Sequence, residues 1–307
     1  MRIIFMGTPE FAVPSLDALF RSEHEVVAVV TVPDKPAGRG RKLTPSPVKT
    51  YAVEHNIPVL QPVKLRDPEF IEALQNFHPD VMVVVAFRML PKMVWEIPSQ
   101  GTFNLHSSLL PDYRGAAPIN WAVINGETKS GVTTFLIDDK IDTGNLLLQR
   151  EVDVPLEWTA GDLHDHLMEI GAELVLKTVN GLADNALTPM PQDHNKAIHK
   201  APKIFKEDCI IDWNQPVEQA YNFIRGLSPY PTAWTTLDEK PLKLFQTRMV
   251  EADTLSTPGA VISDEQSIKV ACKDGWLEIL ELQIAGKKRM KTEDFLRGFK
   301  EEMTEFK

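Results

Sequence analysis

The chain has 307 residues, with 43 Asp and Glu against 33 Lys and Arg, a formal charge of −10, and 43% apolar residues. That composition excludes disordered and collagen-like classes, and a chain of this length favours two domains over one. The negative total excludes indiscriminate coating of nucleic acid or anionic membrane, which needs a broadly positive surface, while leaving room for local basic patches.

The N-terminus, MRIIFMGTPEF, breaks at Gly7 before a signal-peptide apolar region develops, so Ile3 to Phe5 is expected as a first strand. A helix over about Val13–Arg21, a strand Val26–Val32, a helix about Ser46–His55 and a strand Val81–Ala86 follow, a series of β-α-β units. Runs such as VMVVV lack polar alternation, as strands buried on both faces of a parallel sheet do. The longest apolar run, Val81 to Phe87, is far short of the ~20 residues that cross a bilayer, so no membrane partner is expected. Further strands are read at Gly101–His106, Val132–Ile137 and Leu146–Val152, then a helix from Thr159 with Gly181 as its C-terminal stop.

The proline-bearing stretch Leu187–Lys203 reads as an interdomain linker. A helix near Val217–Arg225 and five short strands between Ala233 and Leu282 follow, which suggests a small OB-like barrel. The expected architecture is therefore α/β. A Rossmann-like domain with a mostly parallel sheet spans 1–187, a linker 188–205, and an OB-like domain 206–307. Cys209 and Cys272 are far apart and lack metal-ligand spacing, so neither a disulfide scaffold nor a metal site is expected, and a reducing cytoplasm fits.

Ligands of open α/β sheets bind at the carboxyl ends of strands, so chemistry is sought there. The first strand ends in GTPEF, without the G-x-G-x-x-G of a dinucleotide site. In Phe103-Asn104-Leu105-His106 the strand period of two places Asn104 and His106 on one side, a donor pair for a developing oxyanion or an ordinary hydrogen-bonded strand end. One of Asp138, Asp139 and Asp142 would reach the His106 imidazole across neighbouring strand ends, unless the segment is only a solvated turn. After the most apolar strand, the backbone of Ala86–Pro91 is suited to reading a flat heterocycle, with Met89, Leu90, Val94 and Ile97 as an apolar wall; core packing is the alternative for those side chains. His164 and His166, two apart on a helix, cannot share a ligand face and read as surface or satisfied polar residues. Basic residues gather in the loop with Lys35, Arg39, Arg41 and Lys42, in the linker with Lys196, Lys200, Lys203 and Lys206, and at Lys287, Lys288, Arg289 and Lys291. Their placement in loops favours contact with phosphates.

The segments GTPEFAVPSLDAL, PDKPAGRGRKLTPSPVK, FNLHSSLLPDYRGAAPINWAV, IDDKIDTGNLLLQ, FIRGLSPYPTAW and LQIAGKKRMKTEDFLRG together resemble the methionyl-tRNA formyltransferases, across nearly the whole chain. The resemblance implies formyl transfer from 10-formyltetrahydrofolate to methionyl initiator tRNA, with Asn104, His106 and Asp142 as the catalytic triplet. It implies folate contacts from Arg88, Met89 and Leu90 at the pterin and from Ser108, Leu109, Leu110 and Pro111 at the border of the tetrahydrofolate. The Arg88-Met89 pair is less usual for the family, which places a small or amide residue first. Arg39 matches the basic residue of the family's inserted loop, which approaches the acceptor end of the tRNA. With the other basic residues, Lys35, Arg41, Lys42, Lys203, Lys206, Lys287, Lys288 and Arg289, it is the expected tRNA contact set. A monomer that needs no metal and no DNA is expected. Two rivals stand beside this reading: a nucleotide-sugar formyltransferase, with the same chemistry on another amine, and a non-catalytic RNA-binding module on a degenerate enzyme fold.

Overall fold

The computed structural model describes residues 1–37, 42–237, 239–250, 256–299, 303, 305 and 306. Its contacts group into two units. One comprises Met1–Gly115, Ser130–Val152 and His164–Lys200; the other comprises Ala116–Lys129, Asp153–Leu163 and Ala201–Lys307.

In chain order the elements are β1 Arg2–Gly7, α1 Val13–Phe20, β2 Glu25–Val30, β3 Lys35–Ala37, β4 Lys42–Thr44, α2 Pro47–Glu54, β5 Val59–Leu60, α3 Pro68–Asn76, β6 Val81–Val85, α4 Lys92–Trp95, β7 Thr102–His106, β8 Arg114–Gly115, α5 Pro118–Ile124, β9 Lys129–Leu136, β10 Leu146–Asp153 and α6 Ala160–Ala183. They continue with β11 Lys200–Ala201, α7 Val217–Gly226, β12 Ala233–Leu237, β13 Lys240–Val250, β14 Val261–Ser263, β15 Ile268–Ala271, β16 Trp276–Ile284, β17 Met290–Lys291 and α8 Thr292–Gly298. Local chemistry sets the helix starts. The Ser46 side chain caps α2 by accepting from the Lys49 N–H at 3.1 Å, and Asp67 caps α3 through the Glu69 N–H at 3.2 Å. Each cap is followed by a proline in the first turn, where a missing N–H costs nothing. The short helices α3, α4, α5 and α8 fall outside the elements read from periodicity.

The sheet of the first unit runs β10-β9-β7-β6-β1-β2-β5. From β5 to β7 every pairing is parallel, and β9 then pairs antiparallel to β7. All five residues of β6 are buried, as expected of a strand covered on both faces. The chain leaves β1 for β2 on one side and later returns to β6 on the other, so strand order reverses between β1 and β6. Such reversal opens a crevice at the carboxyl ends of the strands.

The expected stop of α6 at Gly181 is corrected: the helix runs through Gly181 to Ala183. Asn185 takes the left-handed conformation instead, with φ 53°, and the Ala186 N–H closes on the Gly181 carbonyl at 2.8 Å, a Schellman-type end. Gly181 answers to packing, since a Cβ there would stand 2.7 Å from Leu187 Cγ.

The second unit contains an antiparallel sheet, β12-β13-β16-β15-β14, with β17 added to β16. It is the curled sheet of an OB-like domain, closed over a core that includes Ile224, Leu244, Val270 and Leu277. Both cysteines are buried in that core as free thiols. Burial pushes the Cys209 thiol up, and the Cys272 thiol up to about 12. Only the thiolate is nucleophilic, so native Cys272 is expected to alkylate at pH 8 roughly 10³-fold more slowly than a free cysteine. Iodoacetamide labelling of the native and the urea-unfolded chain, read by mass, checks this; rapid native labelling would contradict the packing.

Candidate active site

The site is built on the end of β7. Phe103 and Leu105 are buried in the core, while Asn104, half-buried, and His106, 6% exposed, share the opposite side of the strand. His106 Nε2 lies 2.9 Å from the Tyr113 carbonyl oxygen. A carbonyl only accepts, so Nε2 carries the proton of that bond. Tyr113 itself adopts φ 56°, a left-handed conformation costing about 1–3 kcal/mol for such a residue, and is held there from outside. Its N–H donates to the His199 carbonyl at 3.1 Å, and its ring stacks on the His199 ring at 4.9 Å. Asp112 in turn accepts from the His199 backbone N–H at 2.5 Å and lies 2.9 Å from His199 Nδ1.

The structure distinguishes the three aspartates after β9. Asp138 is exposed on its own turn, accepting from the Lys140 N–H at 2.9 Å and the Thr143 hydroxyl at 2.8 Å. Asp139 is exposed. Asp142 points its carboxylate at His106, with Oδ2 3.9 Å from Nδ1, and accepts from the Gly115 N–H at 3.0 Å. The route differs from the expected approach across neighbouring strand ends. Because β9 is antiparallel to β7, the chain leaves β9 beside the start of β7, where the Ile137 N–H donates to the Thr102 carbonyl at 2.8 Å. The loop must then fold back along β7 to reach His106. Asp142 takes φ 55° in that reversal, and a Cβ on Gly144 would collide with the Leu136 carbonyl oxygen, so the return passes too close to β9 for any side chain.

Gln192, which the sequence placed in a featureless linker, is drawn into this loop. Its Nε2 donates to the Asp142 carbonyl at 3.0 Å and the Gly144 carbonyl at 2.8 Å, and its Oε1 accepts from Arg114. No periodic signal marks a lone buried amide in a segment of prolines and exposed polar residues.

The segment Ser108–Pro111 is fixed by β9 and β10. The Thr133 hydroxyl donates to the Ser108 carbonyl at 2.6 Å and accepts from the Leu110 N–H at 3.1 Å, while Gln149 Nε2 donates to the Leu110 carbonyl at 2.8 Å. Ser108 Oγ donates to the Asp112 carbonyl at 2.7 Å. Ser108, Leu110 and Pro111 are buried, and Leu109 is half-buried. At the end of β6, Ala86 has φ 47° and is exposed. The apolar wall expected from the following residues is mostly core: Leu90 and Val94 pack with Ile4, Met82 and Val84, and Ile97 packs against them. Met89 alone of the four stays open, at 67% exposed. The Arg88 guanidinium is committed to backbone, donating to the Val63 carbonyl at 3.1 Å and to the Pro62 carbonyl, and burial holds its pKa below the usual arginine range.

Of the basic residues, Lys35 is exposed in β3 and Lys42 lies in β4, whereas Arg39 and Arg41 fall outside the described residues. Lys203, Lys206, Lys287, Lys288 and Arg289 are exposed on the second unit. Lys203 lies over the Phe205 ring at 5.1 Å, and Arg289 is paired with Glu281 above the Phe245 ring. His164 packs on the Phe11 ring at 5.1 Å and pairs with Asp165 at 2.9 Å. Among the described residues no group of three or more His, Cys, Asp and Glu is arranged to hold a metal, and no helix is long and apolar enough to cross a membrane.

The family model described as Formyl transferase matches residues 1–179, and that described as Formyl transferase, C-terminal domain, matches residues 203–300. A methionyl-tRNA formyltransferase of Parabacteroides distasonis is 51% identical over 312 residues, 98% of this chain and 96% of the relative. One from Clostridium novyi is 49% identical over 301 residues, 97% of both chains. Among solved structures, HypX from Aquifex aeolicus in complex with tetrahydrofolic acid is similar with a TM-score of 0.63 at 20% identity, over 100% of this chain and 51% of that one. An N-formyltransferase from Helicobacter canadensis, in complex with folinic acid and dTDP-3-aminofucose, gives 0.67 at 21% identity over 90% and 97% of the chains. At such identities these two share the fold.

The tight return at Gly144 makes a direct prediction. Gly144→Ala forces overpacking against the β9 backbone and is expected to destabilise the protein by on the order of 1–3 kcal/mol. A urea midpoint equal to that of the parent would refute the close approach.

Proposed function

Because the chain belongs to the formyl transferase family and, within it, to the methionyl-tRNA formyltransferases, we propose that Asn104, His106 and Asp142 are the groups with which it formylates methionyl initiator tRNA from 10-formyltetrahydrofolate. The observation that carries this reading is the Asp142 carboxylate 3.9 Å from the His106 ring, with Asn104 on the same side of β7 as His106. Its residues also fit the folate co-substrate. The exposed backbone turn at Ala86 and the open Met89 side chain suit the edge and face of a flat heterocycle, and the half-buried Leu109 adds apolar contact. Arg88 places Nη1 on the Val63 carbonyl and Nη2 on the Pro62 carbonyl, which fixes the side chain beside that turn.

The co-substrate supplies the activated formyl group, and the chain supplies a charged, positioned surface for its transfer. His106 is anchored through Nε2 on Tyr113, so Nδ1 is the nitrogen left to face the reacting centre. A proton on Nδ1 and the Asn104 amide N–H donate to the formyl oxygen as the neutral methionyl amine adds to the formyl carbon and that oxygen becomes negative. Among the described residues Asn104 has no side-chain hydrogen bond to give up for this. Asp142 balances the imidazolium and, through water, helps to pass the proton lost by the attacking nitrogen to N10 as the old C–N bond breaks. The groups form no covalent bond to substrate.

High identity over the whole chain favours tRNA over a nucleotide sugar as the acceptor, whereas likeness to the N-formyltransferase solved with dTDP-3-aminofucose extends to the fold alone. The exposed cations of the second unit and the Arg39 loop then serve as phosphate contacts, in a globally acidic protein whose affinity they make local.

Two experiments test the reading. With labelled 10-formyltetrahydrofolate, Met-tRNA is expected to take up label and an amino-sugar nucleotide is not, and His106→Ala lowers kcat by ~10²–10³-fold, the usual loss of one preorganised oxyanion donor. Unchanged turnover would remove His106 from the chemistry. Arg39→Ala is expected to weaken tRNA formylation and flatten its dependence on salt with folate affinity unaltered, and loss of folate affinity would contradict a tRNA role.

A further inference from the structure

Gln192 is 6% exposed, although Pro191 before it and Asp193 to Ile198 after it are all exposed. A buried amide in such a stretch has to find partners for two N–H donors and a carbonyl, and this one finds all of them. Its two N–H groups go to the Asp142 and Gly144 carbonyls, at 3.0 and 2.8 Å. Its Oε1 accepts from Arg114 Nε at 3.2 Å and Nη2 at 2.5 Å. The partners leave the amide a single orientation: two carbonyls demand donors, and a guanidinium demands an acceptor.

The carbonyls it holds belong to the reversal that carries Asp142. That residue has φ 55°, and the loop before it, Asp138 to Ile141, is exposed and makes its own turn. The dipeptide Arg114-Gly115 addresses the same reversal twice, since the Gly115 N–H holds the Asp142 carboxylate at 3.0 Å while Arg114 orients Gln192. Main chain and side chain of Asp142 are thus pinned separately. The geometry points to Gln192 as a positioning residue that holds the Asp142 carboxylate opposite His106, making the segment after α6 a working part of the active site. This rests on the catalytic reading of Asp142.

A double-mutant cycle tests it. Gln192→Met keeps the length and the apolar bulk and removes every hydrogen bond, while Gln192→Glu keeps the shape and sets a carboxylate against two carbonyls. Either is expected to lower kcat for Met-tRNA formylation roughly 10- to 100-fold, the scale of a displacement of about 1 Å in a catalytic group, with KM for folate and for tRNA within about twofold. Gln192→Glu supplies the measurement should Gln192→Met fail to fold. In an Asp142→Asn background the same changes are expected to lower kcat no further, because the group they position is already gone. A full additional loss there shows a merely structural role and overturns the proposal, as does an unchanged kcat of both Gln192 variants in the parent. If Asp142→Asn itself leaves kcat unaltered, the catalytic reading of Asp142 has failed instead.

Discussion

The geometry of the site follows from one constraint: a single antiparallel strand, β9, closes onto a sheet that is parallel from β5 to β7. A parallel neighbour would have delivered its following loop to the carboxyl end of β7, where His106 lies. The antiparallel strand delivers it to the other end, at Thr102, and the chain has to travel back. The cost of that return appears as local strain and close approach, in the left-handed Asp142 and in a Gly144 pressed against β9. Backbone in such conformations persists only when its surroundings over-determine it. The Gly115 N–H and the Gln192 amide are those surroundings.

The same logic applies to the imidazole. His106 stands on a strand rigidified by neighbours on both sides, but the orientation of its ring is set from a loop, by the Tyr113 carbonyl. Tyr113 is strained too, and the Asp112-His199 pair and the stacked His199 ring hold it. The directions of both side chains, His106 and Asp142, are therefore set by segments outside the sheet: 108–115 on one side and 190–199 on the other. The sheet supplies position and the loops supply direction. Catalytic geometry within a few tenths of an ångström is more easily kept when each task has its own hydrogen bonds.

Much of this was legible in the sequence where a residue's neighbours in the chain decide its environment. The period of two put Asn104 and His106 on one side of β7, and unbroken apolar runs marked the buried strands. Legibility failed where the environment comes from distant segments. Three aspartates in one turn look alike until the return loop leaves Asp138 exposed on its own turn and brings Asp142 to His106. Gly181 looks like a helix stop until Leu187 is seen to pack on it. Leu90 and Val94 look equally suited to a ligand wall or a core, and the core takes them because the strand beside them is buried on both faces. Gln192 carried no local signal, since its burial is explained by carbonyls some fifty residues earlier in the chain. The cap at Asp67-Pro68, by contrast, was a local signal for α3 that periodicity alone overlooked.

The charge of −10 bears on how a polyanion would be handled. Counterion release, the source of affinity for phosphates, is gained only through cations that are not already neutralised. Arg289 is paired with Glu281 and shielded over Phe245, so the cluster at 287–289 offers less than its three charges suggest. Local patches of cations on an acidic protein would give binding that is sensitive to salt. For an enzyme that must release its nucleic-acid product after each formyl transfer, a uniformly basic face would slow dissociation, and discrimination among tRNAs would fade as non-specific affinity grew.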